Sequence, residues 1–475
     1  MRRTTSRVLT AVVLCVAFAV VAQPAGAAGR DRATAGVAKS SWVGTWGTAP
    51  TGPPTAPFPG IVSEFENQTL RQIVHTSREG GWVRIRLSNE FGEGSLVIGD
   101  AHVARLAGEG SEIVPASDRR LTFSGRASIT IPRGAPALSD PVALDVPAGS
   151  DLAVSIYLPQ RTQATTLHSD AFQENYVAAG NVTGATRLQD PSVVTQWFFL
   201  TGVSVRAARP ARAVVALGDS ITDGANSTVG ANHRYPDFLA ARFRARPALE
   251  HLGVLNKGIG GNRLLHDGNI LPTFPFAPIA PLFGESALAR FDRDVLAQPG
   301  ARYVIVLLGI NDIGHPASGI APATEAVSAE DLIAAHRQLI ARGQERGLKM
   351  FGATILPFEG DTLNFFTEEG EAKRRAVNRW IRTSGEYDGV IDFDRALRDP
   401  GHPLRLLPAY DSGDHLHPND AGMAAMADAV PLRLFRRANR SADDSRRLSR
   451  RTASRGKMCS APVTAVCRES QRLAR

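Results

Sequence analysis

VVALGDSITDG, residues 214–224, is the stretch from which the fold of this chain is predicted. Its first four residues form a short continuous apolar run, which indicates a strand buried on both faces of a parallel sheet. Gly218 ends the run, and Ser220 follows two residues later. Open α/β sheets bind ligands just beyond the carboxyl ends of their strands, so Ser220 stands where a nucleophile would be placed. Because a serine hydroxyl alone is a weak nucleophile, a base and an orienting group are needed elsewhere in the chain.

Both groups are found towards the C-terminal end, in SGDHLHPNDAG, residues 412–422. Asp414 and His417 are three residues apart, and the chain order Ser, Asp, His is one that serine hydrolases use. His415 lies between them, but the residue three positions before it is a serine. We therefore predict that His417 is the base, that Asp414 orients it, and that His415 has no part in the reaction.

Two further segments lie between these ends, NKGIGGNRLL at residues 256–265 and YVIVLLGIND at residues 303–312. A glycine amide from the first and the Asn311 side chain from the second would serve as donors to a developing oxyanion. The four segments stand in the order of the SGNH (GDSL) hydrolase family, which the chain resembles over about residues 211–434. The resemblance is to secreted actinobacterial members, in which an N-terminal β domain precedes the hydrolase domain.

The resemblance implies a catalytic role for three residues. Ser220 matches the nucleophile, His417 the general base and Asp414 its orienting carboxylate. No cofactor is predicted. The chain has no G-x-S-x-G, H-E-x-x-H or P-loop motif, and its 11 histidines form no cluster with metal-ligand spacing. We therefore predict a serine hydrolase without a catalytic metal.

The resemblance also implies an oxyanion hole. Its donors would be the Ser220 amide, the Asn311 side-chain amide and the amide of a glycine in the second segment. That glycine is either Gly260 or Gly261. The family spacing N-x-x-x-x-G, counted from Asn256, favours Gly261.

Other residues close to these segments have simpler interpretations. Asp219 and Asp312 are predicted to form local turns, because aspartate side chains accept hydrogen bonds from nearby backbone amides. The aromatic segment LPTFPFAPIAPLFG, residues 271–284, is predicted to be an ordered loop beside the site. It is either a wall for the acyl or alcohol group or a surface crossover. Three phenylalanines after a later strand are candidates for the same cleft, namely Phe358, Phe365 and Phe366.

The pattern of apolar residues divides the chain into two domains. Residues 42–205 alternate with period two between glycine-rich turns, which predicts an antiparallel β-sandwich or jelly roll. Residues 206–212 are the predicted linker. Over residues 213–435 strands alternate with helices, which indicates a parallel sheet with helices on both faces. The predicted helices include 329–346, with Ser328 as its predicted N-cap, and 419–435. The predicted fold is therefore an SGNH-type three-layer α/β/α domain preceded by a β domain.

The N-terminal residues have the features of a secretory signal. Three arginines precede an apolar run at residues 8–22, and the sequence Ala-Gly-Ala at 25–27 offers a cleavage site. We therefore predict a signal peptide over residues 1–27 and a secreted protein. No segment approaches the ~20 apolar residues of a membrane span, so no stable membrane insertion is predicted.

The net charge of +8 comes from the two ends of the chain. Removing the net +3 of residues 1–27 and the net +9 of residues 436–475 leaves −4 for residues 28–435, which argues against a nucleic-acid partner. Residues 436–475 are rich in Arg, Ser and Ala and are predicted to be disordered. Cys459 and Cys467 lie in this tail and could pair in an exported protein.

The predicted function is therefore a secreted serine esterase without a cofactor. An exported β-sandwich favours acetyl esters of carbohydrates by analogy, with possible polysaccharide binding by the β domain. The alternatives are a lipase-type enzyme for longer acyl chains, an acyltransferase, and a cell-wall carbohydrate-binding protein without activity. Four tryptophans of the β domain are candidates for stacking on sugar rings, namely Trp42, Trp46, Trp82 and Trp197.

Overall fold

The computed structural model describes residues 42–207 and 209–436, and these belong to one compact unit. The predicted signal peptide, Cys459, Cys467 and all but the first residue of the predicted tail lie outside the described residues. No helix within residues 42–207 and 209–436 is both long enough and apolar enough to cross a membrane.

The N-terminal half is built from short antiparallel strands. Strands β1–β17 are Trp42–Gly47, Glu64–Phe65, Gln68–His75, Gly80–Ser88, Leu96–Ile98, Asp100–Arg105, Arg119–Arg120, Ile129–Ile131, Pro136–Leu138, Val142–Val146, Asp151–Leu158, Thr162–Gln163, Leu167–His168, Asn175–Ala179, Ser192–Val194, Trp197–Phe198 and Leu200–Arg206. One larger sheet has the order β1-β17-β4-β10, with β9 also paired to β4, and the other has the order β15-β14-β3-β11-β6-β7.

Alternation of apolar and polar residues explains these sheets. In β4, Val83, Ile85 and Leu87 are completely buried, because successive side chains of a strand point to opposite faces. Leu152 and Val154 of β11, in the other sheet, are buried in the same core. The prediction of an antiparallel β region is confirmed.

The C-terminal half alternates strands with helices. Strands β18–β22 are Arg212–Gly218, Leu252–Lys257, Ala301–Leu307, Lys349–Ala353 and Gly389–Ile391. Helices α1–α8 are Ser220–Asp223, Tyr235–Arg244, Ala287–Phe291, Ile310–Ser318, Ala329–Glu345, Glu368–Thr383, Phe393–Leu397 and Asp420–Ala429. Short 3₁₀ segments are Pro115–Ser117, Ala277–Phe283, Ala323–Glu325, Pro408–Tyr410 and Leu432–Phe435, and Asp292–Leu296 is a π-helical turn.

The five strands form a parallel sheet with the order β19-β18-β20-β21-β22, as predicted. After β18 the chain adds β19 on one side and then returns to add β20 on the other. The strand order reverses at this point, which is where open α/β sheets place their ligand site. Helices α2, α7 and α8 pack together, with α2 against β19, while α3 to α6 form a second group, with α5 against β21.

Two helix predictions had different outcomes. Ser328 caps α5, since its Oγ accepts a hydrogen bond from the Asp331 amide (3.1 Å). The helix predicted over residues 419–435 instead ends at Ala429 and is followed by a 3₁₀ turn. Val430 is extended because it precedes Pro431, whose ring disfavours helical conformation at the preceding residue.

The β-rich half packs against the edge strand β19 of the parallel sheet. The Val254 amide donates to Ser77 Oγ (2.9 Å), and the Lys257 ammonium donates to the Thr48 carbonyl. A Cβ on Gly253 would lie 2.4 Å from the Gly44 carbonyl oxygen, so this close approach of the two backbones requires glycine. The predicted linker, residues 206–212, overlaps the last residue of β17 and the first of β18. The predicted domain limits stay predictions.

Candidate active site

Ser220 is the first residue of α1 and lies directly beyond the carboxyl end of β18. Asp219 caps the helix, since its Oδ1 accepts a hydrogen bond from the Ile221 amide (3.1 Å), in keeping with its predicted local role. A Cβ on Gly218 would lie 2.0 Å from Thr222 Oγ1, so the sharp turn into the helix requires glycine. As the first helical residue, Ser220 has an amide without an intrahelical acceptor.

Ser220, His417 and Asp414 form a continuous hydrogen-bonded chain. Ser220 Oγ lies 2.8 Å from His417 Nε2, and His417 Nδ1 lies 2.6 Å from Asp414 Oδ2. Both distances are within the range for a nucleophile, a base and an orienting group. The structure thus brings together three residues that are up to 197 positions apart in the chain.

Both oxygens of the Asp414 carboxylate accept hydrogen bonds. Oδ1 accepts the amides of Leu416 (2.9 Å) and His417 (2.8 Å), and Oδ2 accepts the side-chain amide of Asn226 (2.9 Å). Burial raises the pKa of Asp414, but the hydrogen bonds and the charge of His417 outweigh it and hold the pKa well below its usual range. Asp414 is therefore ionised at neutral pH. Sequence reasoning missed Asn226, because it belongs to none of the four family segments.

His415 belongs to a separate pair. Its Nδ1 lies 2.5 Å from Asp411 Oδ2, and half of its side chain is exposed. The structure thus brings His417 to Ser220, while His415 pairs with Asp411.

The second and third segments meet beside Ser220. Gly261 has φ +70°, and a Cβ there would lie 2.5 Å from the Phe283 ring, so both backbone conformation and space require glycine. The Asn311 Nδ2 donates to the Asn262 carbonyl (2.9 Å), which fixes the amide plane and leaves a second N–H for a ligand. The predicted oxyanion donors therefore line the same cavity as Ser220.

Asp312 has a different role from the predicted one. Its carboxylate accepts the backbone amides of Leu264 (2.8 Å) and Leu265 (3.0 Å), which are 48 and 47 residues away. It therefore holds the Gly260-Gly261 loop against the end of β20 instead of forming a local turn. The prediction was wrong because a buried carboxylate accepts from whichever amides the packing brings near it, and the sequence does not specify them.

We expect Asn311→Ala to lower kcat about 10²- to 10³-fold with little change in KM, because the lost donor acts on the developing oxyanion. Steady-state kinetics on p-nitrophenyl butyrate checks this. Asn269→Ala removes an exposed asparagine that bonds Glu325, and it serves as the matched control. An unchanged kcat in Asn311→Ala would remove this side chain from the oxyanion hole.

Ser220 and His417 open into a cavity of about 590 Å³, a size typical of small-molecule sites. The segment predicted as a loop at residues 271–284 contains the 3₁₀ helix Ala277–Phe283 and forms much of one wall. Phe365 also lines the cavity, whereas Phe358 is completely buried. The apolar lining residues are Phe58, Pro59, Ile61, Phe172, Ala225, Ile270, Phe274, Phe276, Ile279, Leu282, Phe283, Ile320, Leu363, Phe365 and Leu416.

The β-rich half supplies part of the same cavity. Its contribution begins with the loop at residues 58–61, where Phe58 packs edge to face on Phe276 at 6.3 Å. Polar groups follow on the same side, namely Ser169, Asp170, Thr195 and Gln196. No motif marks these residues, because they come near Ser220 only when the two halves pack.

The four tryptophans proposed for sugar stacking are engaged within the protein. Trp46 and Trp197 are buried and pack edge to face at 5.0 Å. An arginine guanidinium lies over each of the rings of Trp42 and Trp82 in a cation–π contact, 4.3 and 4.5 Å from the ring centroid. Trp46 and Trp197 therefore have a structural role, whereas Trp82 is 38% exposed.

Comparison with known proteins identifies the C-terminal half. The sequence model of the GDSL-like lipase/acylhydrolase family matches residues 216–425. Among curated protein sequences, no relative matches the chain. Similar solved structures include an acetylxylan esterase from Geobacillus stearothermophilus (22% identity, 47% of this chain and 93% of that chain, TM-score 0.34). Another is a GDSL-like lipase from Bacteroides thetaiotaomicron (17% identity, 47% of this chain and 88% of that chain, TM-score 0.34).

The family match covers the segments that carry Ser220, Gly261, Asn311, Asp414 and His417, so the resemblance seen in the sequence is confirmed there. Residues 216–425 are therefore a hydrolase domain of the GDSL-like lipase/acylhydrolase type.

Proposed function

We propose that this protein hydrolyses carboxylic esters through an acyl-enzyme on Ser220, and that the acyl group is an apolar chain longer than acetyl. The observation that carries the proposal is the Ser220–His417–Asp414 hydrogen-bonded chain at the base of a mostly apolar cavity. The predicted signal peptide at residues 1–27 supports export, which is part of the same proposal.

The reaction would proceed in two acyl-transfer steps. His417 Nε2 takes the Ser220 proton as Oγ attacks the ester carbonyl carbon, and Asp414 stabilises the resulting imidazolium. The oxyanion is bound by the Ser220 amide, the Gly261 amide and the Asn311 side chain. His417 then protonates the departing alcohol, and water, activated by the same histidine, releases the acid from Ser220.

The size of the acyl group follows from the cavity walls. Phe283, Ile279 and Ile320 are among the apolar residues that line it. An acetyl group would leave most of this surface without a partner, whereas each additional buried CH₂ contributes about 0.8 kcal/mol. The cavity therefore supports the longer-chain alternative more than the acetyl esters predicted from the sequence.

We expect kcat/KM on p-nitrophenyl esters to rise from acetate to octanoate, by up to about fourfold for each added CH₂ over the first few methylenes. Phe276 is half exposed at the cavity wall, and Phe276→Ser should lower the octanoate-to-acetate ratio of kcat/KM by about fivefold or more. Val193→Ser is the matched control, since Val193 is equally exposed on β15 but does not line the cavity.

The opposite chain-length profile would contradict the proposal. If acetate is the best ester and longer chains react more slowly, the small-acyl esterase predicted from the sequence becomes the better description. A folded protein without activity on any ester would instead favour a binding role.

A further inference from the structure

Arg290, on α3, is a completely buried arginine behind the active site. Its charge is paired with that of Asp294, whose Oδ2 accepts a hydrogen bond from Arg290 Nη1 (3.2 Å). A buried guanidinium is costly unless its N–H groups all find acceptors. The partners of the remaining N–H groups therefore indicate what this side chain does, and all of them belong to the segments around Ser220.

Arg290 joins the ends of two neighbouring strands of the parallel sheet. Its Nη2 donates to the carbonyl of Gly218 (2.8 Å), which ends β18 two residues before Ser220. Its Nη1 also donates to the carbonyl of Lys257 (2.8 Å), which ends β19 just before the Gly260-Gly261 turn. One guanidinium thus fixes the distance between the turn that presents the nucleophile and the strand that leads to the glycine donor.

A third contact reaches the residue after the glycine turn. Arg290 Nε donates to Asn262 Oδ1 (3.0 Å), and Asn262 is completely buried. The backbone carbonyl of Asn262 is in turn the acceptor that orients the Asn311 side-chain amide (2.9 Å). This contact therefore acts on two of the predicted oxyanion donors, on Gly261 through the adjoining backbone and on Asn311 through the Asn262 carbonyl.

The short helix that carries Arg290 is itself hydrogen-bonded to the same segment. At its start, the Ala287 amide donates to the Arg263 carbonyl (2.9 Å). Directly after α3 comes the π-helical turn Asp292–Leu296, which contains Asp294. Such turns are rare and are frequent at functional sites. The position of the guanidinium is therefore fixed relative to the glycine turn by both the helix start and the side-chain contacts.

The contacts of Arg290 need an arginine and not just a positive charge. A guanidinium has five N–H donors in a rigid planar fork, whereas an ammonium is a compact point charge on a flexible stem. The oxyanion donors must lie within hydrogen-bond distance of a single oxygen, and their misplacement by about 1 Å can cost about 100-fold in rate. A rigid group that contacts all the segments carrying them would hold this geometry.

We propose that Arg290 is a positioning residue for the oxyanion hole, which holds the Ser220 turn and the Gly260–Asn262 segment so that their donors and Asn311 converge on one oxygen. The inference rests on the proposed esterase function and adds a residue that acts from behind the site. Arg290 does not line the cavity, so it acts through these segments and not by contact with the substrate.

The first test is Arg290→Lys, which keeps a positive charge beside Asp294 but removes the fork. We expect kcat on p-nitrophenyl butyrate to fall about 10- to 100-fold with little change in KM, because the displaced donors act on the transition state.

Arg71→Lys is the matched control. Arg71 is also completely buried, and it donates to three backbone carbonyls and to Ser155 Oγ within the β-rich half. This variant should lower the thermal unfolding temperature by a comparable amount and leave kcat close to the wild-type value.

A double-mutant cycle with Asn311→Ala separates positioning from a general loss of stability. If Arg290 acts through the oxyanion hole, the combined loss of kcat should be at least about threefold smaller than the product of the two single losses, because both changes damage the same interaction. A purely structural role gives losses that multiply.

Asn262→Ala is the second variant, since it breaks the link from Arg290 Nε to the glycine turn without changing any charge. It should also lower kcat more than it changes KM, and its effect should not multiply with that of Asn311→Ala. If Arg290→Lys does not fold, Asn262→Ala decides the question by the same two measurements.

The outcomes separate this inference from the proposed function. A loss of kcat no larger than in Arg71→Lys, a loss mainly in KM, or losses that multiply in the double variant overturn the positioning role. If the wild-type protein hydrolyses no ester, or if Ser220→Ala retains full activity, the proposed function itself fails. Thermal unfolding of each variant shows whether it is folded.

Discussion

Ser220→Ala is expected to lower kcat on p-nitrophenyl butyrate by at least about 10⁴-fold, since no acyl-enzyme can form without the Oγ nucleophile. The residual rate would come from the oxyanion donors and substrate binding alone. The small change from a hydroxyl to a hydrogen at the tip of α1 leaves the core packing intact, so the thermal unfolding temperature should stay nearly the same. Steady-state and burst kinetics, with unfolding followed by circular dichroism, measure both effects.

The control for this variant is Ser384→Ala, which removes an exposed serine hydroxyl at the end of α6. It should retain wild-type kinetics. A normal turnover in Ser220→Ala would show that Ser220 is not the nucleophile, even though its Oγ lies within hydrogen-bond distance of His417.

Asp414→Asn is expected to lower kcat about 10³- to 10⁴-fold, because an amide in place of the carboxylate favours the wrong histidine tautomer and does not stabilise the imidazolium. The effect arises at Oδ2, which faces both His417 Nδ1 and the side-chain amide of Asn226. Substrate binding should change much less than kcat. The pH profile of kcat measures the change in the histidine environment directly.

Asp411→Asn is the matched control, since Asp411 makes the equivalent contact with His415, at 2.5 Å. It should lower kcat by less than about threefold. If Asp411→Asn is the damaging change and Asp414→Asn is tolerated, the base is His415 and the sequence-based choice between the two histidines was wrong.

Local sequence patterns were sufficient to predict the architecture and the edge of the sheet at which the candidate site residues meet. The apolar run before Gly218 predicted a strand, and the strand ends carrying Ser220 and Asn311 lie at one edge of the parallel sheet, as expected. Ser328 marked the start of α5. These predictions succeed because strand and helix periodicity, capping and sharp turns depend on residues that are close in the chain. The helix predicted over residues 419–435 ends early, at Ala429, because Pro431 disfavours helical conformation at Val430.

Contacts between distant segments were not predictable. Asp312 was expected to bond its neighbours and instead accepts amides almost 50 residues away. Asn226 supports Asp414 across 188 positions. Asp170 and Gln196 line the cavity although nothing around them in the chain resembles a site. The apolar pattern identifies which residues avoid water, but it does not specify which buried surfaces meet.

The reaction can likewise be predicted from local sequence, whereas the substrate depends on contacts between distant segments. Four family segments in the right order predict acyl transfer, because that reaction needs a nucleophile, a base, an orienting acid and oxyanion donors, whatever ester is bound. The cavity beside Ser220 that would hold the acyl and alcohol groups, in contrast, is lined by residues of both halves of the protein. That cavity exists only after β1 and β19 have packed, because shape complementarity between two folded surfaces is a property of the tertiary structure and not of any short stretch of sequence.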